Sequence, residues 1–331
     1  MERVDFLAIG DTVVDDFITI KDARVHCEID NEACTICMRF GDKVPFESST
    51  VIYGVGNAAN AAVAAARLGL STAFVSHVGA DERGDKILET FAAEGIDTKH
   101  IERDPKVPTN YHYVLSYESE RTILVKQNEY SYVFPKDLPE PKAVYFSSIN
   151  EKAVQYRDDM VAYLESHPDI FFAFQPGVFE IRSGAQAFSH FYKRANFVIC
   201  NKEEAERILG LPVGTHIDEL LAGLSALGPK TVILTDGRNG AYARNETGQF
   251  FVPMYPDPRA PVERTGAGDA FASTVAAALV LGEPLEKALL WGPINSMSVV
   301  QEIGAQRGLL SRQNLEGFLE HAPAEYKLST I

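Results

Sequence analysis

The run Thr265-Gly266-Ala267-Gly268-Asp269-Ala270-Phe271 stands directly ahead of an apolar stretch that continues to Leu281. Small residues before a long apolar helix leave the backbone N–H groups of Gly266, Ala267 and Gly268 uncovered where the helix dipole is positive. Such a helix start can cradle an anion. Asp269 falls in its first turn, where a carboxylate can take a proton from a hydroxyl. The same residues also describe an ordinary helix start with a favourably placed acid, so this segment alone leaves both readings open.

Outward from this helix, short apolar runs alternate with helical stretches. The runs at 4–9, 73–78, 143–146, 171–174, 197–200 and 231–235 suit buried strands. Helical patterns follow at 60–70, 83–94, 152–164, 185–192 and 203–209, and the last third is helical over 267–281, 285–300 and from 312. This β-then-α order predicts an α/β fold, a parallel sheet covered by helices on both faces. Neither a repeat nor a low-complexity linker divides the 331 residues, so one domain over 1–331 is expected. Two stretches, 16–53 and 107–128, break the rhythm with strand-like runs at 17–20, 34–40, 111–115 and 122–125. No helix separates those runs. They predict a small β flap, a lid over the site.

Lys and Arg total 31 against 46 for Asp and Glu, a net charge of −15. Nucleic acid and anionic membranes need a basic face, so neither is an expected partner. A small phosphate-bearing ligand remains compatible, because backbone N–H groups can hold it. The longest apolar run, 271–282, is too short for a span of ~20 residues. With no basic region leading into a long apolar run at the start, and four cysteines, the chain reads as reduced and cytoplasmic. Cys34 and Cys37 form a C-x-x-C with His26 and Cys27 upstream, a conceivable zinc site. Strand residues three apart face opposite sides, so Cys27, Cys34 and Cys37 are expected as free thiols without metal. Cys34, Ile36, Met38 and Phe40 would then share an apolar lid face that needs cover. A homodimer clasped through the lid is expected.

Three further segments end in polar or glycine-rich turns. Asn201-Lys202-Glu203-Glu204 follows an apolar strand; it can organise Mg²⁺ water and phosphate oxygens, or simply cap a helix. Thr235-Asp236-Gly237-Arg238-Asn239-Gly240 can bring backbone close to a nucleotide, or turn a hairpin. Gly54-Val55-Gly56-Asn57-Ala58-Ala59-Asn60 matches G-x-G-x-x-A, which keeps an NAD(P) oxidoreductase among the alternatives. It follows hairpin material, however, rather than the first strand of a βαβ unit. Gly228-Pro229-Lys230-Thr231 lacks the frame of a Walker A loop.

Taken in order, these segments resemble the ribokinase-like PfkB family of carbohydrate and nucleoside kinases over essentially the whole chain. The resemblance rests on Gly10-x-x-x-x-Asp15, Gly56-x-x-x-Asn60, Val78-Gly79-x-Asp81-x-x-Gly84, Asn201-x-x-Glu204, Thr235-x-Gly237-x-x-Gly240 and Thr265-Gly266-Ala267-Gly268-Asp269. It implies a three-layer α/β/α ribokinase-like fold with a mainly parallel central sheet and a small β-strand lid. It further implies an ATP- and Mg²⁺-dependent kinase acting on a hydroxyl, CH₂OH or similar, of a sugar, with a nucleoside as the near alternative acceptor. A non-catalytic, kinase-like binding protein is the remaining alternative. By the same resemblance Asp269 is the base, and Gly266, Ala267 and Gly268 form the anion hole. Asp15, Gly56 and Asn60 hold acceptor hydroxyls. Asn201, Glu204, Thr235, Gly237 and Gly240 serve ATP, with Glu204 reaching Mg²⁺ through water and Asn295 lying near the adenine. Many members bind a monovalent cation such as K⁺ beside the signature and a later Gly-Ala segment like Gly304-Ala305. Here Glu263 replaces the usual Asp and Arg264 adds a positive charge, which speaks against activation by K⁺.

Overall fold

Strand β1 (Val4–Ile9) is covered on both faces from Phe6 onward, which is why that part of its sequence is apolar without alternation. The computed structural model describes residues 4–21, 23–26, 34–117 and 120–331. After β1 come β2 (Val13–Ile20), β3 (Arg24–His26), β4 (Thr35–Cys37) and β5 (Phe46–Val55), which leads into helix α1 (Asn57–Arg67). Then follow β6 (Thr72–Gly79), α2 (Glu82–Ala93), β7 (Ile101–Asp104), β8 (Tyr111–Tyr117) and β9 (Glu120–Lys126). The middle of the chain carries β10 (Pro141–Ser147), α3 (Val154–Ser166), β11 (Phe171–Gln175), α4 (Val178–Ala187) and α5 (Ser189–Arg194). Next are β12 (Phe197–Asn201), α6 (Lys202–Leu209), α7 (Ile217–Ala226), β13 (Thr231–Thr235), β14 (Ala241–Asn245) and β15 (Gly248–Val252). Helices α8 (Ala267–Val280), α9 (Leu285–Val299) and α10 (Arg312–Glu320) precede the last strand, β16 (Ser329–Thr330).

Among the described residues ten strands form the main sheet, in the order β16-β15-β14-β13-β12-β11-β10-β1-β6-β7. Pairing is parallel from β7 through β13 and antiparallel from β13 to β16. Alternate residues of β1 serve two cores. Phe6 and Ala8 pack with α1, α8 and α9, whereas Leu7 and Ile9 pack on the side of α3, α5, α6 and α7. The expected three layers follow from that division.

A second sheet runs in the order β5-β2-β8-β9, with β2 antiparallel to β5, parallel to β8, and β8 antiparallel to β9. The short strands β3 and β4 pair with each other apart from it. Three expectations change here. The strand expected over 34–40 stops at Cys37, so Met38 and Phe40 do not extend a common face with Cys34 and Ile36. The helix expected around 185–192 is two helices, α4 and α5; Gly184 inside α4 has φ 77°. Cys34 is disulfide-bonded rather than a free thiol and has no thiolate to offer a metal, whereas Cys37 and Cys200 are free. Cys27 lies outside the described residues. Among the described residues no helix is long and apolar enough to cross a membrane.

Candidate active site

The carboxyl ends of the parallel strands meet the start of α8, the usual place for a site in an open α/β sheet. Gly266 caps α8 at φ 81°, and a Cβ there would collide with Cα and Cβ of Ala305, so only glycine fits. Asp269 follows in the first helical turn. Both its carboxylate oxygens are taken: Asn60 Nδ2 of α1 donates to Oδ2 at 2.8 Å, and Gln175 Nε2, at the end of β11, donates to Oδ1 at 3.0 Å. Gln175 is itself oriented by the Tyr145 hydroxyl, which donates to Gln175 Oε1 at 2.5 Å. Burial pushes the Asp269 carboxyl above the usual range, while the Asn60 and Gln175 donors and the charge of Arg121 pull it back.

Two cavities adjoin at Gly268, the residue before this carboxylate. A polar one of about 730 Å³ is lined by Asp11, Asp15, Gly56, Asn60, His112 and Asp269, among others. A smaller one of about 280 Å³ has Thr235, Gly237 and Gly240 on one side and apolar walls from Phe271, Met297 and Val300. Gly268 lines both, Gly266 the first and Ala267 the second, so the expected anion cradle lies at their junction. Among the described residues Asp15 Oδ1 is buried with no hydrogen-bond partner; His112 Nδ1 stands 3.3 Å away without the alignment of a hydrogen bond. Gly56 has φ 125°, and a Cβ there would press on Asp11 O, so glycine is required where the loop after β1 passes α1.

Asn201 and Glu204 form the reciprocal capping box that was one of their two readings. Asn201 Oδ1 accepts from Glu204 N at 2.8 Å, and Glu204 Oε2 accepts from Asn201 N at 2.9 Å. Both residues also line the polar cavity. Burial raises the Glu204 carboxyl, and the negative charges of Asp269 and Glu203 raise it further. A cation bridging phosphates in front of it would relieve that repulsion. Mg²⁺ needs few protein ligands, so one carboxylate with a free oxygen fits its habits. The turn at 235–240 is likewise both things expected of it: β13 and β14 pair as a hairpin, and its glycines line the smaller cavity.

Asn295 does not reach a cavity. It is fully buried, donating to Thr274 Oγ1 at 2.7 Å and accepting from Leu310 N at 2.9 Å. Its neighbours Pro293, Ser296 and Met297 line the smaller cavity instead. Sequence reasoning also missed Asp11 and Gln175. Asp11 accepts from Gln127 Nε2 at 2.8 Å, Asn150 N at 2.9 Å and Tyr132 Oη at 3.0 Å, and burial pushes it up to about 6. A signal existed for both, since each is the first polar residue beyond an apolar parallel strand or its closing glycine.

Comparison with known proteins bears on the fold and the family. A ribokinase of Bacillus subtilis is 29% identical over 269 residues, 80% of this chain and 87% of its own length. A structure of Arabidopsis thaliana ribokinase complexed with ribose and ATP superposes with a TM-score of 0.79 at 18% identity, covering 96% of this chain and 99% of that one. A Methanocaldococcus jannaschii nucleoside kinase of the ribokinase family gives 0.78 at 19%, covering 97% and 99%. These two likenesses establish the ribokinase fold. The pattern of the pfkB family carbohydrate kinases matches residues 26–312, most of the chain, and the protein therefore belongs to that family.

Proposed function

We propose that this kinase moves the γ-phosphoryl group of ATP to a hydroxyl, CH₂OH or similar, of a sugar, with Asp269 as general base. The observation that carries the reading is a buried carboxylate, held by two neutral amides, that lines a polar cavity one residue from where it adjoins an apolar one. The polar cavity takes the acceptor. The unpartnered Asp15 Oδ1 is the kind of buried acceptor a sugar hydroxyl satisfies, and Asn60 and Gly56 flank the same space. The apolar cavity takes the adenine between Phe271 and Met297, with the glycines of the 235–240 turn close to the nucleotide.

Asp269 accepts the hydroxyl proton as the acceptor oxygen bonds to the γ-phosphorus and the bond to the β-phosphate oxygen breaks. ADP leaves. N–H groups of Gly266 and Gly268, and that of Ala267 once it leaves its long 3.5 Å bond to Arg264 O, meet the charge on the phosphate oxygens, as the first-turn amides of a helix have no partner within it. Asn201 and Glu204 would hold Mg²⁺ through water, and the ion supplies charge neutralisation on the phosphates. Glu263 already accepts from Thr265 N at 2.7 Å and Gly304 N at 3.3 Å, with Arg121 Nε 3.9 Å away, which supports a kinase without K⁺ activation. We read the whole chain as one kinase unit with the second sheet as its lid. Ile123 and Val125 of β9 face the polar cavity with exposed apolar surface, which favours a nucleoside as the second acceptor class, the base lying under the lid.

Asp269→Asn tests the base. Gln175 can turn its amide to accept from the new Nδ2, since the Tyr145 hydroxyl can reverse and accept, so the fold tolerates the change. Turnover should fall about 10²–10⁴-fold with ATP binding intact. A variant retaining more than a tenth of wild-type turnover refutes the role. Turnover on a panel of pentoses, hexoses, sugar phosphates and nucleosides then names the acceptor.

A further inference from the structure

Three consecutive residues outside the reacting groups tie the parts of the site together. Gly304 lies against the lid, where a Cβ would collide with Ile52 Cδ1, and its N–H donates to Glu263. Ala305 packs on Gly266 at the anion cradle. Gln306 is buried, and its Nε2 donates both to Gly54 O, in lid strand β5, at 2.7 Å and to Asn60 Oδ1 at 3.0 Å. From the other side Arg67 Nη1 donates to Gln306 O at 2.6 Å and Leu309 O at 3.0 Å, while Glu94 holds the rest of that guanidinium.

An amide has one acceptor end and one donor end. With a donor from Gln306 on Asn60 Oδ1, the Nδ2 end must face Asp269, where it donates at 2.8 Å. The reversed amide would set two N–H₂ groups against each other and an oxygen against the carboxylate. We infer that Gln306 is a positioning residue for phosphoryl transfer, orienting Asn60 onto the base and joining that orientation to the lid through Gly54. This rests on Asp269 being the base. The charged and titratable groups facing Asp269 come from other elements: Arg121 of β9, Glu204 of α6 and Tyr145 of β10. A change at 306 leaves all three in place.

The test uses the full chain with Gln306→Met and Gln306→Leu, neither of which can donate, and follows kcat against pH with ATP and the best acceptor. Losing the enforced Asn60 donor weakens the ionised base, so the acid limb should move to higher pH by about one unit. Turnover at neutral pH should fall about ten-fold, and the KM for ATP should stay unchanged. In an Asn60→Ala background either change at 306 should move the limb no further, because its route to the base is gone. An unmoved limb in the folded single variants overturns the inference, as does an equal shift in the Asn60→Ala background. Should Gln306→Met fail to fold, Gln306→Leu decides alone. Failure here with Asp269→Asn inactive removes only the role of Gln306; an active Asp269→Asn removes the base itself.

Discussion

Asp11 and Asp269 share an unusual condition: each carboxylate is buried and, among the described residues, its direct donors are neutral groups with no cation in contact. For Asp11 the folded-state value of about 6 lies above the ~3.9 of an unfolded chain. A raised carboxyl contributes stability that is fully present below about pH 4 and is lost as pH rises through about 6. Asp11→Asn should remove that loss. Its oxygen can keep the Gln127 and Asn150 donors, and its Nδ2 can face Tyr132, whose hydroxyl turns to accept. The variant should be more stable than wild type by roughly 1–3 kcal/mol at pH 8, with the gap closing toward pH 4. Thermal unfolding at both pH values checks this; a gap that does not depend on pH contradicts it.

At the scale of elements, the start of α8 tolerates little change. Gly266→Ala adds a Cβ at φ 81° against Ala305, so it should cost roughly 1–3 kcal/mol in denaturant unfolding and lower turnover as well. Wild-type stability in that variant would show that the 304–306 segment yields easily. Elements of this kind were readable because their cause is local: apolar β1 and β6 are buried on both faces, and α8 begins where small residues end. Strand β5 escaped notice because its first five residues are exposed or nearly so, and its ladder with β2 pairs residues from 26 (Ile20 with Phe46) to 42 (Val13 with Val55) positions apart. The same applied to side chains. Asn60 stands out as the polar residue in an alanine-rich helix, but Gln175 and Gln306 owe their roles to partners 94 and 246 positions away. Asn295 misled for the mirror reason. A polar residue in an apolar helix reads as a ligand contact until Thr274 and Leu310 are seen to satisfy it.

At the scale of the molecule, the outer lid face carries a cross-strand row, Val51, Asp16, Tyr113 and Leu124, in which the three apolar members are exposed. We propose that a second copy covers it, in place of the face once expected from Cys34 to Phe40. Sedimentation equilibrium should give twice the 36.4 kDa chain mass, and Leu124→Lys should return it to one chain. A wild-type mass of 36.4 kDa at every concentration rejects the dimer.

The two cavities divide the chain unevenly. The apolar one is built wholly from residues 235 to 300, whereas the polar one draws its distinctive side chains from 11 to 127 and from Gln175. On the proposed roles, the energy source and the molecule it is spent on are inherited from separate stretches of gene. A lineage can therefore trade one acceptor for another by drift or recombination in its first third while the ATP machinery descends unchanged. A mutant library confined to 11–127 should be rich in altered preferences and poor in dead nucleotide sites, which makes this scaffold a ready starting point for directed evolution.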